Sequence, residues 1–123
     1  MKTKIILFLS IIMLAAACKN SKNAQKKEDI YRVIVTFISK GEGPDAKTQV
    51  SLESYLITYG KKINDTIAYD KYPWGKEGEA DYCFYCKEMK KGEQDDFVAG
   101  LTNLTKEAPL VLVKENAVCM HKK

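Results

Sequence analysis

Residues 30–39 read "IYRVIVTFIS", and this stretch decides the fold. Its β-branched and aromatic side chains favour an extended strand. The two-residue period of a strand predicts that one face carries Tyr31, Val33, Val35 and Phe37. The alternate residues on the other face are also mostly apolar. We therefore expect this strand to lie in the centre of a sheet.

A helix is predicted after this strand. The segment "GEGPD" at 41–45 breaks the extended pattern, and Pro44 suits the first position of a helix. Apolar residues then recur at helical spacing: Leu52, Tyr55, Leu56, Tyr59 and Ile63. Gly60 is typical of a helix terminus, so we expect the helix to run from about Asp45 to Tyr59.

Three further elements and a last strand follow. Residues 65–72, "DTIAYDKY", predict a short strand, and "PWGKEGE" at 73–79 predicts a turn. Residues 79–86, "EADYCFYC", alternate again. A helix is indicated by three acidic residues in its predicted first turn and by an apolar stripe after them. The acidic residues are Glu93, Asp95 and Asp96, and the stripe is Phe97, Val98, Leu101 and Leu104. The segment "PLVLVKE" at 109–115 predicts the last strand.

The order strand, helix, strand, strand, helix, strand predicts an α+β fold for a single domain over residues 30–123. Short connections and right-handed crossovers convert this order into a ferredoxin-like sandwich, with two helices on one face of an antiparallel sheet. The predicted strand order is 4-1-3-2. The alternative is an open α+β sheet in which the second strand does not pair.

The N-terminus has the pattern of an export signal. Lys2 and Lys4 precede an uncharged apolar run at 5–17. A helix of thirteen residues rises about 20 Å, well short of the ~30 Å hydrocarbon core of a bilayer. A permanent transmembrane helix is therefore not expected, and residues 1–17 are predicted to be a signal peptide.

Residues 14–18, "LAAAC", resemble the lipobox of bacterial lipoprotein precursors. The resemblance implies cleavage before Cys18 and lipidation of that residue, which would anchor the chain to a membrane. The family prefers a larger apolar residue where this chain has Ala15. Ordinary secretion is the alternative, because Ala15 and Ala17 also fit an A-x-A cleavage site.

Residues 18–29 are predicted to form the lipidated cysteine and a polar tether. The residue after Cys18 is Lys19 and no acidic run follows, so the resemblance implies an outer-membrane position facing the periplasm. The segments "PWGKEGEADYCF" at 73–84 and "KENAVCMHK" at 114–122 are similar to small lipoproteins of Bacteroidota. That resemblance implies no activity.

Of the possible classes of function, composition and charge argue only against nucleic-acid binding. Without Lys2 and Lys4, 18 of the 20 basic residues remain against 16 acidic ones, so the mature chain has a net charge of +2. The basic residues are spread along the chain, which is not typical of a nucleic-acid-binding surface.

The remaining cysteines predict one disulfide. Cys83 and Cys86 fall on opposite faces of one strand and about 10 Å apart, so they cannot bond to each other. Export favours a disulfide to Cys119. The end of the third strand lies on the same side as the tail that follows the fourth, and we therefore favour Cys86–Cys119 over Cys83–Cys119. Either pairing leaves one thiol free, which we expect to be buried.

A metal site is the second hypothesis. Cys83, Cys86, Cys119 and His121 are three sulfur ligands and one imidazole, a set that suits zinc or copper(I). This set would make the chain a metal-handling or thiol-redox lipoprotein. The opposed faces of Cys83 and Cys86 argue against it.

Aromatic residues near the predicted turn suggest a binding platform formed by Tyr72, Trp74 and Tyr82. No sequence motif of a catalytic site occurs, and no cofactor is indicated. The sequence therefore predicts a non-enzymatic, lipid-anchored envelope protein that binds an envelope protein or a small ligand, or that acts as an inhibitor or assembly factor.

Overall fold

The computed structural model describes residues 28–123. The predicted signal peptide, Cys18 and residues 19–27 of the predicted tether lie outside the described residues. Six elements follow one another in the predicted order: β1 (Ile30–Phe37), α1 (Ala46–Ile63), β2 (Asp70–Trp74), β3 (Glu79–Phe84), α2 (Lys91–Thr105) and β4 (Val111–Val118).

The four strands form one open antiparallel sheet in the order β2-β3-β1-β4. β1 lies between β3 and β4, with Ile34 opposite Cys83 on one side and opposite Lys114 on the other. The predicted ferredoxin-like α+β fold and its strand order are confirmed. The second strand pairs with β3 along its whole length, so the alternative of an unpaired second strand is wrong.

Both helices cover one face of the sheet and enclose the main core with it. Val33, Val35 and Phe37 of β1 are fully buried there, as the two-residue period predicts. The helices contribute Leu52, Leu56, Tyr59, Phe97, Val98 and Leu101. Burying a side chain of this size contributes about 1.5–3 kcal/mol, so this core is the main source of stability.

The two-residue period fails at the start of β1. Tyr31 packs on the face of the sheet that points away from the helices, which we call the open face, whereas Val33 packs against the helices. In β4 the opposite residue Ala117 is also on the open face, and Asn116 before it has a left-handed φ of 48°. The side chains of β1 and β4 therefore change from one face of the sheet to the other at the same level. Because the change occurs in both strands, their pairing keeps one register on either side of it.

α1 is one turn longer than predicted. Asp45 caps its start by accepting a hydrogen bond from the Thr48 amide at 3.0 Å, and this bond lowers the pKa of Asp45. The helix continues through Gly60 and ends at Asn64, whose φ of 56° is left-handed. Gly60 is required for another reason, because a Cβ there would lie 2.6 Å from the carbonyl oxygen of Asp65.

α2 begins at Lys91, and only Glu93 of the three predicted acidic residues lies in its first turn. Glu93 accepts a hydrogen bond from the Lys90 amide at 2.9 Å. Asp95 and Asp96 begin the second turn, where hydrogen-bonded ion pairs with Arg32 and Lys62, respectively, lower their pKa values.

The strand ends also differ from the predicted ones. β2 extends into the predicted turn, and its Pro73 is tolerated because β2 is an edge strand. β3 ends at Phe84, and Cys86 two residues later has a left-handed φ of 59°. No helix within residues 28–123 is long and apolar enough to cross a membrane.

We predict that Gly60→Ala lowers the free energy of unfolding by about 1–3 kcal/mol, because the new methyl group would collide with backbone rather than with a flexible side chain. Gly92→Ala in α2 is the matched control. A Cβ at Gly92 meets nothing within 4 Å, so this change should raise the free energy of unfolding by about 0.5–1 kcal/mol. Urea denaturation measures both, and equal effects would contradict the explanation.

Candidate binding site on the open face

The open face carries a second, smaller apolar cluster. Its buried members are Tyr31, Ile34, Cys83 and Cys119, and the half-buried residues packed against them are Tyr72, Tyr85 and Ala117. Tyr31 and Tyr85 stack with their ring centroids 4.0 Å apart. The chain after β4 thus covers a face that is often left to solvent in antiparallel sheets.

A disulfide joins Cys83 to Cys119, with their Cα atoms 6.4 Å apart. The favoured prediction, Cys86–Cys119, is therefore wrong, and the other predicted pairing is present. The pairing depends on which face of the sheet each cysteine occupies, not on how close it lies to the end of its strand. The tail crosses the open face, where Cys83 points, whereas Cys86 belongs to the core under the helices. Closing a loop of 36 residues stabilises the fold by roughly 4 kcal/mol in the chain-entropy account.

Cys86 is the free thiol in the described part of the chain, and it is fully buried as predicted. Burial raises the pKa of the Cys86 thiol to about 12, so almost no thiolate forms at neutral pH. The proposed metal set is not brought together, because two of its sulfurs are bonded to each other and Cys86 lies on the other face. Within residues 28–123, no group of three or more His, Cys, Asp or Glu side chains could hold a metal ion.

His121 is fixed by two contacts. Its Nδ1 atom lies 2.6 Å from Oδ2 of Asp81, and its ring stacks on Trp74 with the centroids 4.2 Å apart. The indole Nε1 of Trp74 donates to Oδ1 of the same carboxylate at 3.1 Å. Asp81 is 2% exposed, and its contacts with Trp74 and His121 give both oxygens of this buried carboxyl group a hydrogen-bond partner. We call this group the Trp74–Asp81–His121 cluster.

A second polar group ties the tail to the start of β1. Tyr31 donates from its hydroxyl to Oδ2 of Asp70 at 2.8 Å, and burial raises the pKa of Tyr31, so the hydroxyl keeps its proton. Lys122 donates to Oδ2 of Asp29 at 2.5 Å. That hydrogen bond lowers the pKa of Asp29 and raises that of Lys122. The tail is thus held at both Lys122 and His121.

The predicted aromatic platform is only partly formed. Tyr72 and Trp74 lie on the open face, but Tyr82 points into the helix-covered core and is 2% exposed. Its ring contacts Phe37, with centroids 5.5 Å apart. Tyr82 follows Asp81 directly, and consecutive strand residues point to opposite faces. The prediction that these three rings form one platform is therefore wrong.

A recess of about 550 Å³ lies between the β2–β3 hairpin and the tail. Its walls include Trp74, Lys76, Met120, His121, Lys122 and Lys123. The lysines give this recess a basic rim beside an aromatic wall, which suits a ligand or protein surface with an anionic group next to an apolar one. Within residues 28–123 the hydrogen bonds of the His121 ring go to Asp81 alone, and no nucleophile is aligned with it.

The sequence did not indicate Asp81 as a site residue, nor that His121 is held in place. Asp81 has one usable signal, which is a carboxylate in the interior of a strand whose neighbouring residues Ala80 and Tyr82 are apolar or aromatic. Its partners lie 7 and 40 residues away, so only the folded chain brings them together. No protein-family model, curated protein or solved structure matches this chain.

We predict that a Cys18→Ser chain exposes no thiol to Ellman's reagent when folded at pH 8, one thiol in denaturant, and three after reduction. Labelling of the folded protein at pH 8 should be slow, because burial blocks access of the reagent and raises the pKa of Cys86 to about 12. Since this pKa is higher in the folded chain, the stability contributed by the neutral thiol is present at neutral pH and is lost as the pH rises through 12. Three reactive thiols without reductant would contradict the disulfide.

Proposed function

We propose that this chain is a lipid-anchored protein of the bacterial cell envelope, with Cys18 as the lipidated residue. We further propose that its domain is a non-enzymatic binding or accessory module that uses the open face. The outer membrane, with the domain facing the periplasm, is the proposed location. The partner is an envelope protein or a small ligand.

The Cys83–Cys119 disulfide is the observation that carries this proposal. Disulfides form and persist in oxidising compartments and are rare in the bacterial cytosol. The bond joins two fully or nearly fully buried sulfurs in a domain of fewer than 100 residues. This is independent of the N-terminal pattern, yet it supports the same compartment as the export signal predicted from residues 1–17.

The position of the tether also supports the proposal. Asp29 lies at the start of β1 and is paired with Lys122, so the chain enters the domain beside the tail. Ten residues, 19–28, separate Asp29 from Cys18 along the sequence. Two or three acyl chains on Cys18 would hold the domain at the bilayer almost permanently, since each buried methylene contributes about 0.8 kcal/mol.

The Trp74–Asp81–His121 cluster supports a binding role for the open face. It fixes an aromatic wall beside the lysine-rimmed recess, and its hydrogen bonds keep both rings in one orientation before any ligand arrives. A preorganised surface loses less conformational entropy on binding. The metal-handling alternative has no such support, because its ligands lie on two faces of the sheet.

We predict that cells fed radiolabelled palmitate label the wild-type chain and that Cys18→Ser abolishes the label and releases the protein from membranes. Cys86→Ser is the matched control, because it removes a buried thiol and should leave labelling unchanged. Intact-mass measurement of the purified chain identifies the acyl groups. An unlabelled wild-type chain that washes off vesicles would refute the anchor.

We predict that Lys76→Glu, at the rim of the recess, reduces capture of the partner from envelope extracts by about fivefold or more. Lys47→Glu makes the same charge change on α1. This helix lies on the opposite side of the sheet from the open face, so capture should be unchanged. Quantitative mass spectrometry of cross-linked material compares both with wild type. Equal effects of the two variants would exclude the recess as the binding site.

A further inference from the structure

The outer side of α1 carries apolar residues that no part of the domain covers. Val50 is 63% exposed and Ile57 is 62% exposed, although both lie in the middle turns of a well-formed helix. Beside them runs a groove of about 840 Å³ between α1 and the segment that leads to β2. Its apolar walls are Leu56, Ile57, Ile67 and Tyr69.

Charges are arranged symmetrically around Ile57. Glu53 precedes it by four residues and Lys61 follows it by four, so the three side chains form one row along the helix surface. Both charged residues line the groove and are exposed. They are about 12 Å apart along the axis, too far to pair with each other. Within residues 28–123 neither side chain takes part in a salt bridge.

We propose that the groove beside α1 binds α1 of a second copy of this chain, forming a dimer with a two-fold axis at Ile57. In this arrangement the two helices cross in antiparallel directions and the rows of the two copies lie side by side. Glu53 of each copy then lies against Lys61 of the other, and the two Ile57 side chains meet at the axis.

Self-complementarity is the reason for choosing a second copy over another partner. In an antiparallel pair with a two-fold axis, the residue four before the centre of one helix lies opposite the residue four after the centre of the other. Here those two residues, Glu53 and Lys61, have opposite charge. Ser54, three residues before the centre, is small and exposed, so the helices can approach closely on that side. A contact of one helix and one groove is small, so we expect a dissociation constant on the order of micromolar.

Charge reversal tests the pairing in the full chain, purified in detergent and followed by sedimentation velocity. Glu53→Lys and Lys61→Glu should each weaken dimerisation by about tenfold or more, because each creates two like-charge contacts. The double variant restores opposite charges at both contacts and should return to within about threefold of wild type. A wild-type chain that remains monomeric, or a double variant as weak as the single ones, would overturn the proposal.

Cross-linking tests the position of the axis. Ile57→Cys in the full chain should give a covalent dimer when oxidised with copper phenanthroline, since the two sulfurs would meet at the axis. Thr58→Cys is the matched control, because the next residue points about 100° away around the helix. Wild type reports any background from Cys18. Equal cross-linking of the two variants would overturn the proposed axis, whatever the state of lipidation.

Discussion

β1 lies at the centre of the sheet with apolar side chains on both faces, and each of those faces has to be covered. The helices cover one with a core built on Val33, Val35 and Phe37. The other is covered by a short tail held by the Cys83–Cys119 bond and by neighbouring aromatic rings. A sheet of four short strands buries too little on one side alone to stabilise a domain of this size easily, and the second cluster adds to that burial.

Covering the open face also determines where binding is possible. The tail brings His121 onto Trp74 and Asp81 and thereby converts a flat sheet surface into a recess with one rigid aromatic wall. The same disulfide removes Cys83 and Cys119 from thiol and metal chemistry. Stabilisation of the sheet and the proposed binding role therefore depend on the same five residues at the end of the chain.

The helical layer has the opposite character. α1 is capped at both ends and packed along one side, yet its outer side presents Ile57 between two opposite charges. An exposed apolar side chain by itself carries little information. The symmetric arrangement of Glu53 and Lys61 around it is informative because only a partner with the reversed order of charges satisfies both. The chain itself provides that order when it is rotated by a two-fold axis.

Local patterns in the sequence determined the elements, their order and the strand order, because apolar periodicity and short connections allow few arrangements. They also placed Cys83 and Cys86 on opposite faces. Only the tertiary structure decided that Cys83 bonds to Cys119, that Tyr31 faces away from Val33, and that Asp81 receives Trp74 and His121. These contacts depend on the path of the tail and on a left-handed residue at Asn116, which no local period encodes.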